Sequence, residues 1–125
     1  MAQIPEDVTS AWQRKNTPAV LSTVDDKGMP NVIYSAFISL YGDDGFAITD
    51  HFFNKTRDNI LNGSKGAILF LSEDGRSSYQ IKGTFEYYQD GEIVEQIRET
   101  MPPQLPSRAV AILRAEDVYS GSKKL

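Results

Sequence analysis

From Ala19 to Asp50 the chain lays down three runs rich in β-branched and aromatic residues, AVLSTV, PNVIYSAFISLY and FAITD, separated by little more than the polar stretches DDKG and GDDG. Stiff branched side chains suit a pleated surface, and Asp-rich stretches ending in glycine reverse the chain, so these runs read as strands joined by turns. Strands joined so closely pair antiparallel, because a parallel neighbour needs a crossover of a dozen residues or more. The same pattern resumes with AILFL at 67–71, SSYQIKGTFEYY at 77–88 and RAVAILRAEDVYSG near the end. Gly83 lies inside the second of these, where a missing side chain marks a bulge, a barrel bend or the close approach of another group.

Three helices interrupt the strands. Residues 5–15 open with proline and two acids and place Val8, Ala11 and Trp12 at helical spacing. Residues 54–62 form a short helix opened by Asn54-Lys55-Thr56. The segment DGEIVEQIRETM puts Ile93, Val94, Ile97 and Met101 on one face, with Asp90 placed as its cap and PPQLP as its stop. Six strands in local succession predict a mainly β fold, a six-stranded antiparallel barrel whose closure removes exposed edges. The helix at 54–62 is expected to lie across one opening. Residues 1–125 are read as one domain, with an N-terminal helical segment at 1–16 and a mobile polar tail at 120–125.

Composition narrows the function. With 125 residues, 40% of them hydrophobic, the chain can bury one core without a metal or a disulfide. Thirteen basic against seventeen acidic residues, net charge -4, argue against nucleic acid as the main partner. The absence of cysteine removes thiol catalysis, zinc thiolates and iron–sulfur clusters. Neither a leader nor an apolar run of membrane-spanning length is present, so a soluble, cytoplasmic protein without membrane contact is expected.

The stretch ITDHFFNKTRDNILNG carries the chemistry. A helix start offers free N–H groups to an anion, and Asn54, Lys55, Thr56 and Arg57 add polar and cationic side chains. The same four residues also suit a plain cap flanked by solvated cations, and both readings stay open at this level. His51, the single histidine, reads as a turn residue. A metal site would need scattered carboxylates around it, and no serine sits in a nucleophile elbow, so no catalytic or metal-binding residue is assigned. The acids at 92, 95 and 99 read as a solvated helix face.

The ordered combination of the TPAVLSTVDDKGMPNVIYSAF hairpin, the GFAITD strand, NKTRDN and IKGTFE resembles the pyridoxamine 5'-phosphate oxidase-like family of FMN-binding split β-barrels, over residues 17–119. The resemblance implies a split barrel of Greek-key type that binds FMN at a homodimer interface. It implies that Lys55 and Thr56, with Asn54 beside them, hold the phosphate, and that Thr49, with Asp50 as a lesser companion, lies at the strand end against the flavin. It further implies that Tyr34, Ser35 and Ala36 meet the isoalloxazine ring. Tyr119, placed just past the last strand, is the candidate cover supplied by the partner. Phe52 and Phe53 either line the flavin mouth or anchor the turn.

The implied function is an FMN-dependent oxidoreductase or electron-transfer protein with a small-molecule or protein redox partner. A non-enzymatic flavin carrier or sensor, or a deazaflavin or haem in the same cleft, are the alternatives. Asn54 stands where the vitamin-forming oxidases carry arginine, Ser78 where they tend to carry glutamine, and the C-terminus lacks their substrate-holding aromatic and arginine. These departures imply a minimal flavin-binding branch and not a true pyridoxamine phosphate oxidase.

Overall fold

The computed structural model describes residues 2–125. Its elements run α1 (Glu6–Arg14), β1 (Ala19–Val24), β2 (Pro30–Ser35), β3 (Ile38–Tyr41), β4 (Gly45–Asp50), α2 (Lys55–Leu61), β5 (Lys65–Leu71), β6 (Ser78–Tyr88), α3 (Glu92–Thr100), β7 (Ala109–Ser120) and β8 (Lys123–Lys124). Every strand pairing is antiparallel, in the order β2-β1-β5-β6-β7-β4-β3, with β8 added on β7. The two ends of that order, β2 and β3, are consecutive in the chain. The sheet therefore curls until its edges are joined by Ala36 and Phe37, without ladder pairing between them: a split barrel.

Among the described residues eight strands replace the six expected, for two reasons. The run PNVIYSAFISLY breaks at Ala36-Phe37, since β2 pairs with β1 while β3 pairs with β4 on the opposite edge. The tail expected to be mobile turns back at Gly121, φ 56°, and pairs Lys123 and Lys124 with Ser120 and Tyr119.

Strict alternation builds the interior. Leu21, Phe46, Ile48, Ile68, Ile81 and Leu113 are fully buried in one cluster, and α1 adds Val8, Ala11 and Trp12. The Trp12 ring meets Phe46 and Phe70 edge-on at 4.8 and 5.1 Å, a favoured aromatic geometry that adds about 0.5–1.5 kcal/mol per pair to the area buried. On the outer face of β4 and β7, α3 covers Ala47, Val110 and Ile112 with Val94. The α3 helix starts one residue later than the sequence suggests: Gly91, at φ 100°, takes the cap position instead of Asp90, and no side-chain cap bond forms. Met101, expected on its apolar face, is already extended at ψ 150°, as a residue before proline is driven to be.

Gly83 answers the question raised by its position. The β6–β7 register shifts between Lys82 and Gly83, and a Cβ at Gly83 would run into the carbonyl oxygen of Arg114. The bulge and the close approach are thus one feature.

Candidate functional site

The end of β4 divides its residues by face. Phe46, Ile48 and Asp50 share the inward parity, so Asp50 delivers a carboxylate into the barrel wall, fully buried. There it accepts bonds from Arg57 Nε (2.7 Å, to Oδ2) and Nη2 (3.0 Å, to Oδ1), from Tyr87 Oη (2.6 Å) and from the Phe53 N–H (3.0 Å). Burial alone would raise the Asp50 carboxyl, but the bonds from Arg57, Tyr87 and the Phe53 N–H outweigh it and hold it below the usual carboxylate range. The same contact raises Arg57. Burial, followed by the bond to Asp50, pushes Tyr87 up to about 12. This clamp ties α2, β4 and β6 together, and it consumes the charge of Arg57 that the sequence offered to an anion. Asp50 accordingly serves the scaffold and faces away from the cleft described next.

Thr49, one residue earlier, has the opposite parity. With Ile33, Tyr34, Ser35, Ala36, Phe37, His51, Phe52 and Phe53 it lines a cleft of about 330 Å³ at the seam where β2 and β3 part. Ser35 and Ala36 present short side chains there. Phe37 O accepts from the Thr49 N–H at 3.0 Å and holds the seam to β4. Phe52 stands 72% exposed at the lip while Phe53, which also lines the cleft, packs against the core.

Directly after Phe53 the chain enters α2. Thr56 and Asn59 are buried, and they tie the helix to the barrel interior: Asn31 Nδ2 donates to Thr56 Oγ1 (3.0 Å) and Asn59 Nδ2 to Thr23 Oγ1 (2.9 Å). Thr23 and Asn31 are register partners on the inward rows of β1 and β2, so α2 covers that end of the barrel, as its position in the sequence suggests. The recorded bond uses Thr56 Oγ1 as acceptor and leaves its proton for another group. Lys55 is exposed and forms no ion pair among the described residues. Asn54 is exposed too, and its side chain makes no cap bond despite the expectation. Three adjacent polar groups at the start of α2 thus retain unused hydrogen-bonding capacity.

Tyr119 lies elsewhere. It falls inside β7, not past it, pairs with Gln80 and Lys124, and has Lys82 Nζ 5.0 Å from its ring centre. Within one chain it does not join the cleft.

His51 is the residue that sequence reading undervalued. It lies in the bend after β4, as expected, but it is buried, and its Nδ1 accepts from the Ser107 N–H at 3.0 Å. Burial lowers its pKa, against a smaller opposing pull from Asp50, so the ring is neutral near pH 7. Among the described residues its Nε2 is the one buried side-chain nitrogen or oxygen without a partner. The only local signal was its place between the strand end and the turn; Ser107 is 56 positions away.

The chemistry of these residues suits a flavin-type group: small residues at the seam, an exposed aromatic at the lip, a buried histidine nitrogen without a partner, and a lysine and a hydroxyl two and three residues past Phe53 in the chain.

Comparison with known proteins agrees with the architecture. The family model described as pyridoxamine 5'-phosphate oxidase matches residues 5–120. The uncharacterized protein MJ0282 of Methanocaldococcus jannaschii is 32% identical over 111 residues, covering 85% of this chain and 74% of that protein. The crystal structure of HupZ from Group A Streptococcus superposes with a TM-score of 0.81 at 26% identity, over 94% of this chain and 93% of that one. An FMN-binding protein from Syntrophomonas wolfei shares the fold, with a TM-score of 0.67 at 22% identity over 90% of this chain and 82% of its own. By its matched family model, its relative and its curled antiparallel sheet, the chain belongs to the pyridoxamine 5'-phosphate oxidase family of split β-barrels.

Proposed function

We propose that the chain binds FMN in the seam cleft and acts as an FMN-dependent oxidoreductase or electron-transfer protein, distinct from a true pyridoxamine phosphate oxidase. The observation that carries this reading is the small-walled cleft at Ser35, Ala36 and Thr49, whose last lining residue, Phe53, is followed directly in the chain by Asn54, the exposed Lys55 and the buried Thr56 at the start of α2. Lys55, Thr56 and Asn54 would hold the phosphate. With seven residues α2 is about two turns long, so its dipole adds little and the side chains carry the binding. Tyr34, Ser35, Ala36 and Thr49 would flank the ring, and Phe52 would exclude water from its edge. Bound FMN would supply hydride or single-electron transfer, chemistry that requires no titratable protein side chain.

A homodimer completes the reading. Val32 and Tyr34 on β2 and Leu69 and Leu71 on β5 are exposed, 41–77%, on either side of Val20 of β1. With Thr17, Pro18 and Ser78 several of them line a second, mainly apolar hollow of about 720 Å³. An apolar surface of this kind marks an interaction site. Tyr34 borders both hollows, so a second copy seated on this face would abut the cofactor cleft and could bring its own Tyr119 near it.

Titration of the purified protein with FMN, followed by flavin fluorescence and visible absorption, tests the proposal. Lys55→Ala should weaken binding about tenfold, the size of one charge-assisted hydrogen bond. Unquenched FMN fluorescence at micromolar protein overturns the reading, and binding of a deazaflavin or haem in its place redirects it. Reduction of the bound flavin by NAD(P)H or another donor separates an enzyme from a carrier.

A further inference from the structure

We infer that His51 is a dedicated hydrogen-bond donor to the cleft's ligand, its Nε2–H reserved for a carbonyl oxygen or lone-pair nitrogen on the edge of a planar heterocycle. The inference rests on the flavin reading and names a contact within that site.

The tautomer follows from geometry. Nδ1 accepts from the Ser107 N–H at 3.0 Å, so Nδ1 carries the lone pair and the proton of the neutral ring must sit on Nε2. That N–H is buried and has no acceptor. An orphaned buried donor costs about 1–3 kcal/mol and is rare in native proteins. Phe37 lies edge-on to the imidazole at 4.6 Å, and an N–H to ring contact there would be a second-order interaction that leaves most of the deficit standing.

The surroundings fix the ring at some expense to the backbone. Ser107 is a non-glycine residue at φ 43°, in the left-handed region, which carries strain in a serine. Its carbonyl is gripped by Arg98 Nε of α3 at 2.9 Å while its N–H holds His51. Arg108 adds a bond from its Nε to the His51 carbonyl at 3.2 Å and from its N–H to the Asp50 carbonyl at 2.9 Å. A helix, a strained turn and two arginines thus orient one imidazole, whose Nδ1 edge faces Ser107 while the ring lines the cleft beside Thr49 and Phe52. The bond at Nδ1 fixes which nitrogen carries the proton and leaves Nε2–H as the one free for a ligand.

The chain holds one histidine, so its imidazole nitrogens can be followed without assignment ambiguity in the full-length, 15N-labelled protein. Long-range 1H–15N spectra of the free protein should show an unprotonated Nδ1 and a protonated Nε2. Saturating FMN should move the Nε2–H proton downfield and slow its exchange. His51→Phe should weaken FMN about tenfold, one lost hydrogen bond, and His51→Gln, whose side-chain amide can donate from a similar position, should recover part of that loss. If FMN binds the wild-type protein while the His51 resonances stay unmoved, the inference is overturned and the flavin reading stands. If FMN does not bind the wild-type protein, the flavin reading fails and this contact with it. The wild-type spectra decide the matter even where His51→Phe fails to fold.

Discussion

Replacing Arg57 by methionine tests the clamp that places the candidate site. The substitution keeps much of the aliphatic stem but removes two charge-assisted bonds, at 2.7 and 3.0 Å, from a carboxylate with no solvent exposure. Asp50 would retain only the Tyr87 hydroxyl and the Phe53 N–H. Breaking one side of a buried ion pair costs about 3–5 kcal/mol because the other charge stays buried and unpaired. Arg57 itself is 27% exposed, and water entering the space it leaves can solvate Asp50, so the lower end, about 3 kcal/mol at pH 7, applies. The sign of the pH dependence follows from the Asp50 carboxyl. In the wild-type protein its pKa is depressed, so its contribution is present above the unfolded carboxylate pKa and is lost as pH falls through the lower folded value. In the variant the folded pKa moves upward, and protonation relieves the buried charge at a higher pH. The gap between the two proteins should therefore shrink as pH is taken from 7 down through the carboxylate range. Urea unfolding at a series of pH values measures it. A gap below about 1 kcal/mol at pH 7, or one that does not change with pH, would refute the clamp.

Gly83→Ala forces a methyl group against the Arg114 carbonyl at the β6–β7 bulge and should lower stability by about 2 kcal/mol or more, visible in a urea melt. Val32→Glu places a charge on the exposed apolar face, 62% exposed in the single chain, and should shift the protein to monomer in sedimentation while leaving its fold intact. Because Tyr34 borders both hollows, the same change should weaken FMN binding. Ala36→Leu fills the seam cleft from an exposed position; stability should stay within about 0.5 kcal/mol while FMN affinity falls, a split that equal losses in both assays would contradict.

The strands and helices were legible because their signals are local. Alternation in FAITD even sets the facing of its residues: Phe46, Ile48 and Asp50 share one parity, which puts Asp50 inward, opposite to the Thr49 that lines the cleft. What stayed hidden depends on distant partners. Nothing in YSAFIS interrupts a strand; β2 and β3 separate because the closing sheet assigns them to opposite edges. The tail SKKL carries no strand signal, and its pairing to Tyr119 and Ser120 needs the Gly121 turn and the Asp117–Lys124 ion pair at 3.0 Å. His51 looked like an ordinary turn residue because Phe37 and Ser107, which make its environment, approach it only in the folded chain.

Thr49, Asp50 and His51 are consecutive, and their divergence shapes the candidate cleft where the barrel is split. Asp50 turns inward and fixes the strand end to α2 through Arg57 and to β6 through Tyr87. Thr49 turns its side chain outward while its backbone N–H holds the Phe37 carbonyl, carrying the β3–β4 pairing up to the seam. His51 is held from the α3 side through Ser107. Each wall of the cleft is thus pinned by a different layer of the fold, so the seam can stay open without the scaffold loosening. A fully paired barrel would have committed the backbone at Ala36 to a strand partner as well. The split leaves that edge accessible, and the rigid elements around it hold it to a fixed shape, which is the condition for a preorganised ligand site.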